Sequence, residues 1–170
     1  MGRTKPYSVA VVAAAVLVAQ VARAEDRVFA VHIPHGQTAR LVRSALEGAA
    51  RRLEHPRCEG LVDLFADGSG QPLRASLQRA GLSGADYLTL LVFYDGSRRA
   101  ACRRGGIFAA TDVGGRIVWV CPDAFVRLAW SDPGTADVVV IHEALHSLGL
   151  GENPPSSDEI NARVRSACFR

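Results

Sequence analysis

The sequence predicts an α+β fold, in which a twisted mixed or antiparallel sheet packs on helices. Two observations predict this class. The expected elements follow the order strand, helix, several strands and then helices. Short runs alternate between apolar and polar side chains as strands do, whereas longer runs have the 3.6-residue period of an amphipathic helix. Such elements each have one apolar face, and they bury these faces against one another in a layered domain.

The first 24 residues have the pattern of a secretory signal peptide. Arg3 and Lys5 form a basic start, residues 9–18 are an apolar run, and Ala24 ends a VARA sequence typical of a cleavage site. The apolar run is shorter than the roughly 20 residues of a membrane-spanning helix. We therefore expect cleavage after Ala24, a single mature domain of residues 25–170 without a membrane anchor, and export to the periplasm or the medium.

The leader also explains the basic character of the chain. The whole sequence has 20 basic and 17 acidic residues, with a net charge of +3 at pH 7. Arg3, Lys5 and Arg23 belong to the leader, and every acidic residue lies at or after Glu25. The mature domain is therefore near neutral, which gives no support for binding to nucleic acid.

The first half of the domain begins with a strand and a helix. Residues 28–34 alternate in polarity and predict the strand, and residues 38–54 place their apolar side chains on one helical face. A short apolar piece at 61–65 leads into a polar loop with glycines. Residues 72–79 then predict a short helix, with Gly81 after its end.

The middle of the chain predicts the rest of the sheet. Residues 87–94 form an apolar run that ends at an Asp-Gly pair, which predicts a buried strand. Residues 107–111 and 116–120 predict a hairpin joined through two glycines. A short helix is expected at 123–130, directly after a proline.

Two further helices complete the domain. The first is capped by Asp132 or Thr135, and Gly149 ends it. The last helix begins after Ser156, because Ser156 and Glu159 have the spacing of a capping box.

Four cysteines lie in the mature part, and an even number in an exported chain predicts two disulfides. Three pairings are possible. We favour Cys102–Cys121, because these residues flank the two ends of the predicted hairpin. This choice leaves Cys58–Cys168, which would connect the C-terminus to the first helix.

The chemistry is concentrated in residues 141–160, which read IHEALHSLGLGENPPSSDEI. His142 and His146 are four residues apart, so a helix presents both imidazoles on one face to a single ion. Glu143 lies about 100° around the helix, where it can take a proton from a zinc-bound water rather than bind the ion. The competing interpretation is two helical histidines in local hydrogen bonds. A buried imidazole pair without partners is costly, and this favours Zn²⁺.

The stretch HEALHSLGLGE resembles the metzincin pattern HExxHxxGxxH, with glutamate at the last position. The resemblance implies a minimal zincin-like domain with its active-site helix near the C-terminus. It also implies the metal ligands His142, His146 and Glu152, with Glu143 as the general base. Glu159 on the final helix is the alternative third ligand. The only methionine is Met1, so the metzincin Met-turn is missing, and "metzincin-like zincin" describes the resemblance, which extends to small bacterial secreted zincins.

These features predict a secreted zinc metallopeptidase that hydrolyses peptide bonds in a protein or peptide substrate. The alternative is a catalytically inactive, exported zinc-binding or interaction domain of the same fold. Hydrolysis of cell-wall amide bonds is a weaker third hypothesis. A protein site with an open coordination position indicates catalysis, whereas four protein ligands indicate a structural site.

Other parts of the active site are harder to assign from sequence. Residues 115–121, GRIVWVC, are the best candidate for an edge strand that pairs with extended substrate, although an ordinary core strand fits as well. His32 and His35 are expected at the surface rather than in a second metal site. Three residues are candidates for stabilising an oxyanion: Tyr94, Asn161 and Arg163.

Overall fold

The computed structural model describes residues 27–169, so the predicted signal peptide lies outside the described residues. Within them, one mixed sheet has four strands: β1 (Ala30–His32), β2 (Val92–Asp95), β3 (Ala109–Thr111) and β4 (Ile117–Val120). The strand order is β1-β2-β4-β3. β1, β2 and β4 are parallel, and β3 is antiparallel to β4. The α+β class is therefore confirmed, with a mixed sheet.

The helices of the described region, in chain order, are α1 (Gly36–Leu53), α2 (Leu73–Ala80), α3 (Gly84–Tyr87), α4 (Pro122–Ser131), α5 (Pro133–Ser147) and α6 (Ser157–Cys168). Short 3₁₀ helices occur at Pro56–Leu64, Leu88–Leu90 and Ala101–Arg103. No helix among residues 27–169 is both long enough and apolar enough to cross a membrane.

α5 is the central helix, and every residue from 136 to 147 is buried. Its sequence is apolar on nearly all sides up to Ile141, as expected for a helix with neighbours all around it. α1, α4, α6 and β3 contact it. The polar residues of its last two turns are therefore held inside the domain rather than in solvent.

The expected strand at 87–94 is wrong in its first half. Residues 84–90 are helical, and β2 begins only at Val92. The reason is local hydrogen bonding: the Ser83 hydroxyl accepts the backbone N–H of Asp86 at 3.0 Å and caps α3, and Thr89 donates to the Asp86 carbonyl at 2.7 Å. Serine caps of this kind outweigh the strand preference of an apolar run.

The hairpin was predicted correctly, and of the two interpretations of residues 115–121 the ordinary core strand is confirmed and the edge strand is wrong. β4 pairs with β2 on one side and with β3 on the other, so residues 115–121 contain an inner strand. The edge of the sheet next to α5 is β3. The Gly114 backbone N–H in the hairpin turn donates to the His146 carbonyl at 2.9 Å and holds the hairpin against the end of α5.

The ends of α5 and α6 have the predicted caps. Asp132 accepts the backbone N–H of Thr135 at 2.9 Å, and Ser156 and Glu159 form a capping box. Gly149 follows α5 with a φ of 116°, a conformation that favours glycine. The chain therefore turns back directly after the motif helix.

The two disulfides join the pairs that the sequence favours. Cys58–Cys168 connects the 3₁₀ helix Pro56–Leu64 to the end of α6, across 110 residues of chain. Cys102–Cys121 connects the segment before β3 to the residue after β4, across 19 residues. Two disulfides are consistent with an oxidising, extracellular compartment.

Candidate metal centre

His142 and His146 lie together in the last two turns of α5. Their ring centroids are 4.6 Å apart, and the two Nε2 atoms are 2.8 Å apart. Both side chains are buried. The four-residue spacing therefore brings the two imidazoles to one point on the helix surface, as the sequence predicts.

Glu152 is the third member of this group. One ligand atom from each of His142, His146 and Glu152 lies within 4.8 Å of the others, a spacing that could hold a metal ion. The chain reversal at Gly149 returns Glu152 to the helix end. Its side chain is exposed and accepts a hydrogen bond from the Ser157 hydroxyl at the start of α6.

Glu159, the alternative third ligand, is not part of this group. Its carboxylate accepts the Ser156 backbone N–H at 2.8 Å, inside the capping box. Hydrogen bonds from the Ser156 backbone and hydroxyl lower the pKa of Glu159. The structure therefore places this glutamate at the helix cap.

The outer nitrogens of both histidines have partners. Nδ1 of His146 donates to the Leu150 carbonyl at 2.8 Å, and Nδ1 of His142 faces the Asn161 amide oxygen at 2.9 Å. In neutral rings with these bonds, each Nε2 keeps its lone pair, and the two lone pairs point toward each other. This pairing is repulsive by itself, and a cation that both nitrogens ligate would relieve it. The donor set therefore fits a metal ion.

Burial keeps the metal-binding form of His142 available. The pKa of His142 is lowered, mainly by burial and then by the charge of His146, while Asn161 and Glu152 act in the opposite direction. A neutral imidazole is the form that ligates metals. The surroundings of the ring thus favour coordination.

Glu143 is buried beside the histidine pair, with only 4% of its surface exposed. Its pKa is raised to about 7, mainly because burial disfavours the charged carboxylate. The hydroxyl and backbone of Thr111 in β3 oppose this rise, whereas the charge of Glu152 adds to it. Oγ1 of Thr111 and Oε2 of Glu143 are both buried, and neither has a hydrogen-bond partner among the described residues.

These side chains line a cleft of about 300 Å³. One wall is the outer edge of β3, from Ala109 to Thr111, and the floor is α5 with His142 and Glu143. Ser157, Asp158 and Asn161 of α6 line the cleft together with Glu152. An edge strand has unpaired backbone groups, so this wall can pair with an extended chain.

The other residues singled out by sequence lie elsewhere or have another role. Tyr94 stacks on His32, with ring centroids 5.2 Å apart, and neither residue lines the cleft. Arg163 donates to the Leu64 carbonyl at 2.9 Å and does not line it either. Asn161 does line the cleft, but as the partner of His142. His35 lies 3.8 Å from Asp95 across an ion pair and joins no metal-capable group among residues 27–169.

Two features of the candidate site were not predicted from the sequence. Thr111 and the edge strand that carries it approach Glu143 only through the tertiary structure. The strand was identified, but nothing in its sequence indicated that it covers the motif helix. Comparison with protein-family models, with curated proteins and with solved structures finds no match to this chain.

Proposed function

We propose that this protein is an exported zinc metallopeptidase with a minimal zincin-like fold, in which Glu143 is the general base. The observation that carries the proposal is the position of Glu143. It is a buried carboxylate next to a three-residue metal-capable group, in a cleft bounded by a free strand edge. Metal binding alone does not require a buried carboxylate at this position, whereas hydrolysis does.

His142, His146 and Glu152 would hold the ion. When bound, zinc makes water more acidic and polarises a carbonyl oxygen. Two imidazoles and one carboxylate are a ligand set that zinc accepts in catalytic sites. Among the described residues, this group has three members and not four, which favours an open, catalytic site over a closed structural one.

The protein side chains divide the remaining work. The edge of β3 would align the substrate backbone along the cleft through strand pairing. Glu143 would take a proton from the attacking water and pass it to the leaving amine. Thr111 lies at the end of β3 beside this carboxylate, so the strand that would pair with the substrate also approaches the base.

The test uses the mature protein loaded with zinc and an unfolded protein as substrate. We expect Glu143→Gln to retain zinc and to lose activity by roughly 10²- to 10⁴-fold, the usual contribution of a general base. Glu152→Gln should lose zinc. The matched control is Glu159→Gln, because glutamine also fits a capping box, and this variant should keep both zinc and activity.

Two results would contradict the proposal. Equal turnover by the wild type and Glu143→Gln would show that Glu143 is not the general base. Full zinc content in Glu152→Gln, together with loss of zinc in Glu159→Gln, would show that Glu159 rather than Glu152 is the third ligand. An inactive wild type that holds zinc stably would instead support the exported binding domain.

A further inference from the structure

A second and larger cavity, of about 720 Å³, adjoins the metal cleft. It lies where the three parallel strands end: His35 follows β1, Asp95 ends β2 and Cys121 follows β4, and all three line the cavity. The carboxyl ends of parallel strands are a common place for ligands to bind. Nothing in the proposed peptide hydrolysis accounts for this cavity.

One continuous segment connects the cavity to the cleft. Arg103 and Arg104 line the cavity, Gly106 lines both spaces, and residues 107–111 line the cleft. A substrate paired with β3 would therefore run along a segment whose continuation, through Gly106, borders the cavity. The two spaces can therefore be filled by one peptide.

The cavity carries an excess of positive charge. Arg103, Arg104 and Arg127 line it, and none of them forms an ion pair with a carboxylate among residues 27–169. Two acids also line it. Asp95 accepts the Ser97 backbone N–H at 2.8 Å, and Asp123 is exposed in the first turn of α4.

The metal cleft has the opposite character, because Glu143, Glu152 and Asp158 line it. An acidic side chain of a substrate therefore meets basic side chains at the second cavity, whereas no arginine or lysine lines the cleft. α1 and α4 also begin at the second cavity without a side-chain cap, so unpaired backbone N–H groups of their first turns lie there, although Pro122 itself has none.

We propose that this cavity, named here the arginine cavity and defined by Arg103, Arg104 and Arg127, binds a carboxylate side chain of the peptide substrate. The inference rests on the proposed peptidase function and adds a substrate class to it: peptides with an acidic residue several positions away from the bond that is cleaved. The Cys102–Cys121 disulfide lines the cavity and fixes the position of the neighbouring arginines.

Binding is measured with zinc-loaded Glu143→Gln protein, which does not consume the probe. The probes are pairs of twelve-residue peptides that are identical except for Asp or Asn, with the variable residue scanned along the chain. We expect about fivefold tighter binding of the Asp peptide at one position, as for an exposed pair of charges. Arg103→Gln/Arg104→Gln should remove the preference, and Arg127→Gln alone should reduce it.

Arg116→Gln is the matched control, because Arg116 is exposed, belongs to the same hairpin region and does not line the arginine cavity. Arg116→Gln removes one positive charge, as each substitution in the arginine cavity does, and this variant should keep the preference for the Asp peptide. Equal binding of Asp and Asn peptides at every position overturns the inference even if the wild type cleaves them. Inorganic phosphate that binds while neither peptide is preferred overturns it as well, because the cavity is then a free-anion site.

Cleavage of the same peptides by the wild type separates this inference from the proposed function. Cleavage that is faster for the Asp peptide supports both. A binding preference without cleavage of any peptide leaves the arginine cavity as a carboxylate site and overturns the peptidase function alone.

Discussion

At the scale of single residues, Asn161 determines which nitrogen of His142 carries a proton. With its amide oxygen toward Nδ1, it accepts the ring proton and leaves the Nε2 lone pair for a metal ion. With the amide turned over, its NH₂ group would donate to Nδ1, and Nε2 would then donate to Nε2 of His146, 2.8 Å away. The first arrangement suits the metal-bound protein and the second the metal-free protein.

The prediction at this scale concerns metal affinity. Asn161→Leu removes the acceptor and should weaken zinc binding by about 10- to 100-fold, the usual effect of removing a partner of a ligating histidine. Asn161→Asp keeps an acceptor and should bind zinc at least as well as the wild type. Competition with a chromophoric chelator measures both affinities.

The thermal unfolding midpoints of the metal-free variants serve as the control. If Asn161 had a merely structural role, its replacement would lower the unfolding midpoint of both metal-free variants, Asn161→Leu and Asn161→Asp. Wild-type zinc affinity in Asn161→Leu would show that Asn161 does not orient His142.

Sequence patterns predicted the positions of the residues in and directly after the motif helix, but not the contacts between separate helices. The placement of His142, His146 and Glu143 follows from helical geometry, and that of Glu152 was expected from the metzincin resemblance together with the chain reversal at Gly149. Asn161 comes from a different helix, 19 residues after His142. Its contact depends on how α6 packs on α5, which no local spacing determines.

At the scale of elements, the crossing of α1 over α5 depends on a close approach at Gly48. A Cβ atom at this position would clash with Oδ1 of Asp137 and would lie 2.6 Å from its Cγ. The Asp137 side chain cannot move away freely, because it is buried and accepts a hydrogen bond from Arg52 Nε at 2.8 Å.

Gly48→Ala is therefore expected to destabilise the protein, although alanine in a helix interior normally stabilises by about 0.5–1 kcal/mol relative to glycine. Overpacking of a buried contact costs about 1–3 kcal/mol, so the net free energy of unfolding should fall by roughly 1–2 kcal/mol. Urea unfolding of the variant measures the change.

Gly36→Ala in the same helix is the matched control, since its Cβ would meet nothing closer than 4.0 Å. It should leave the free energy of unfolding unchanged or slightly higher. A Gly48→Ala protein as stable as Gly36→Ala would mean that α1 and α5 do not cross as closely as the structure has them.

The elements themselves were predicted where one signal dominates. α1, α5 and α6 have clear periods and caps, and the hairpin has a glycine turn. The expected strand at 87–94 contained two competing signals, and the Ser83 cap prevailed over the apolar run in its first half. The position of β4 inside the sheet depends on its parallel pairing with β2, a long-range contact that the hairpin sequence does not encode.

At the scale of the whole molecule, the two disulfides hold different parts of the proposed catalytic apparatus. Cys58–Cys168 fixes the end of α6, the helix that carries Asn161. Cys102–Cys121 fixes the segment with the arginines at the second cavity. The α+β class followed from the order of elements, but this division of roles depends on which surfaces the parallel crossovers bring together.

The effects of the two disulfides on stability and on the two sites should therefore be distinguishable by experiment. In the chain-entropy description, a bridge across 110 residues stabilises by about 4–5 kcal/mol and one across 19 residues by about 3 kcal/mol. Cys58→Ala/Cys168→Ala should lower the free energy of unfolding more than Cys102→Ala/Cys121→Ala. It should also weaken zinc binding, because α6 and Asn161 lose their anchor.

The second double variant should keep its zinc affinity and lose the preference for acidic peptides. Urea unfolding, chelator competition and peptide titration, each performed where both variants are folded, measure the three quantities. Loss of zinc affinity in the Cys102→Ala/Cys121→Ala protein, with none in the Cys58→Ala/Cys168→Ala protein, would reverse the assignment. α6 would then hold its place by packing alone, and the arginine segment rather than α6 would support the metal centre.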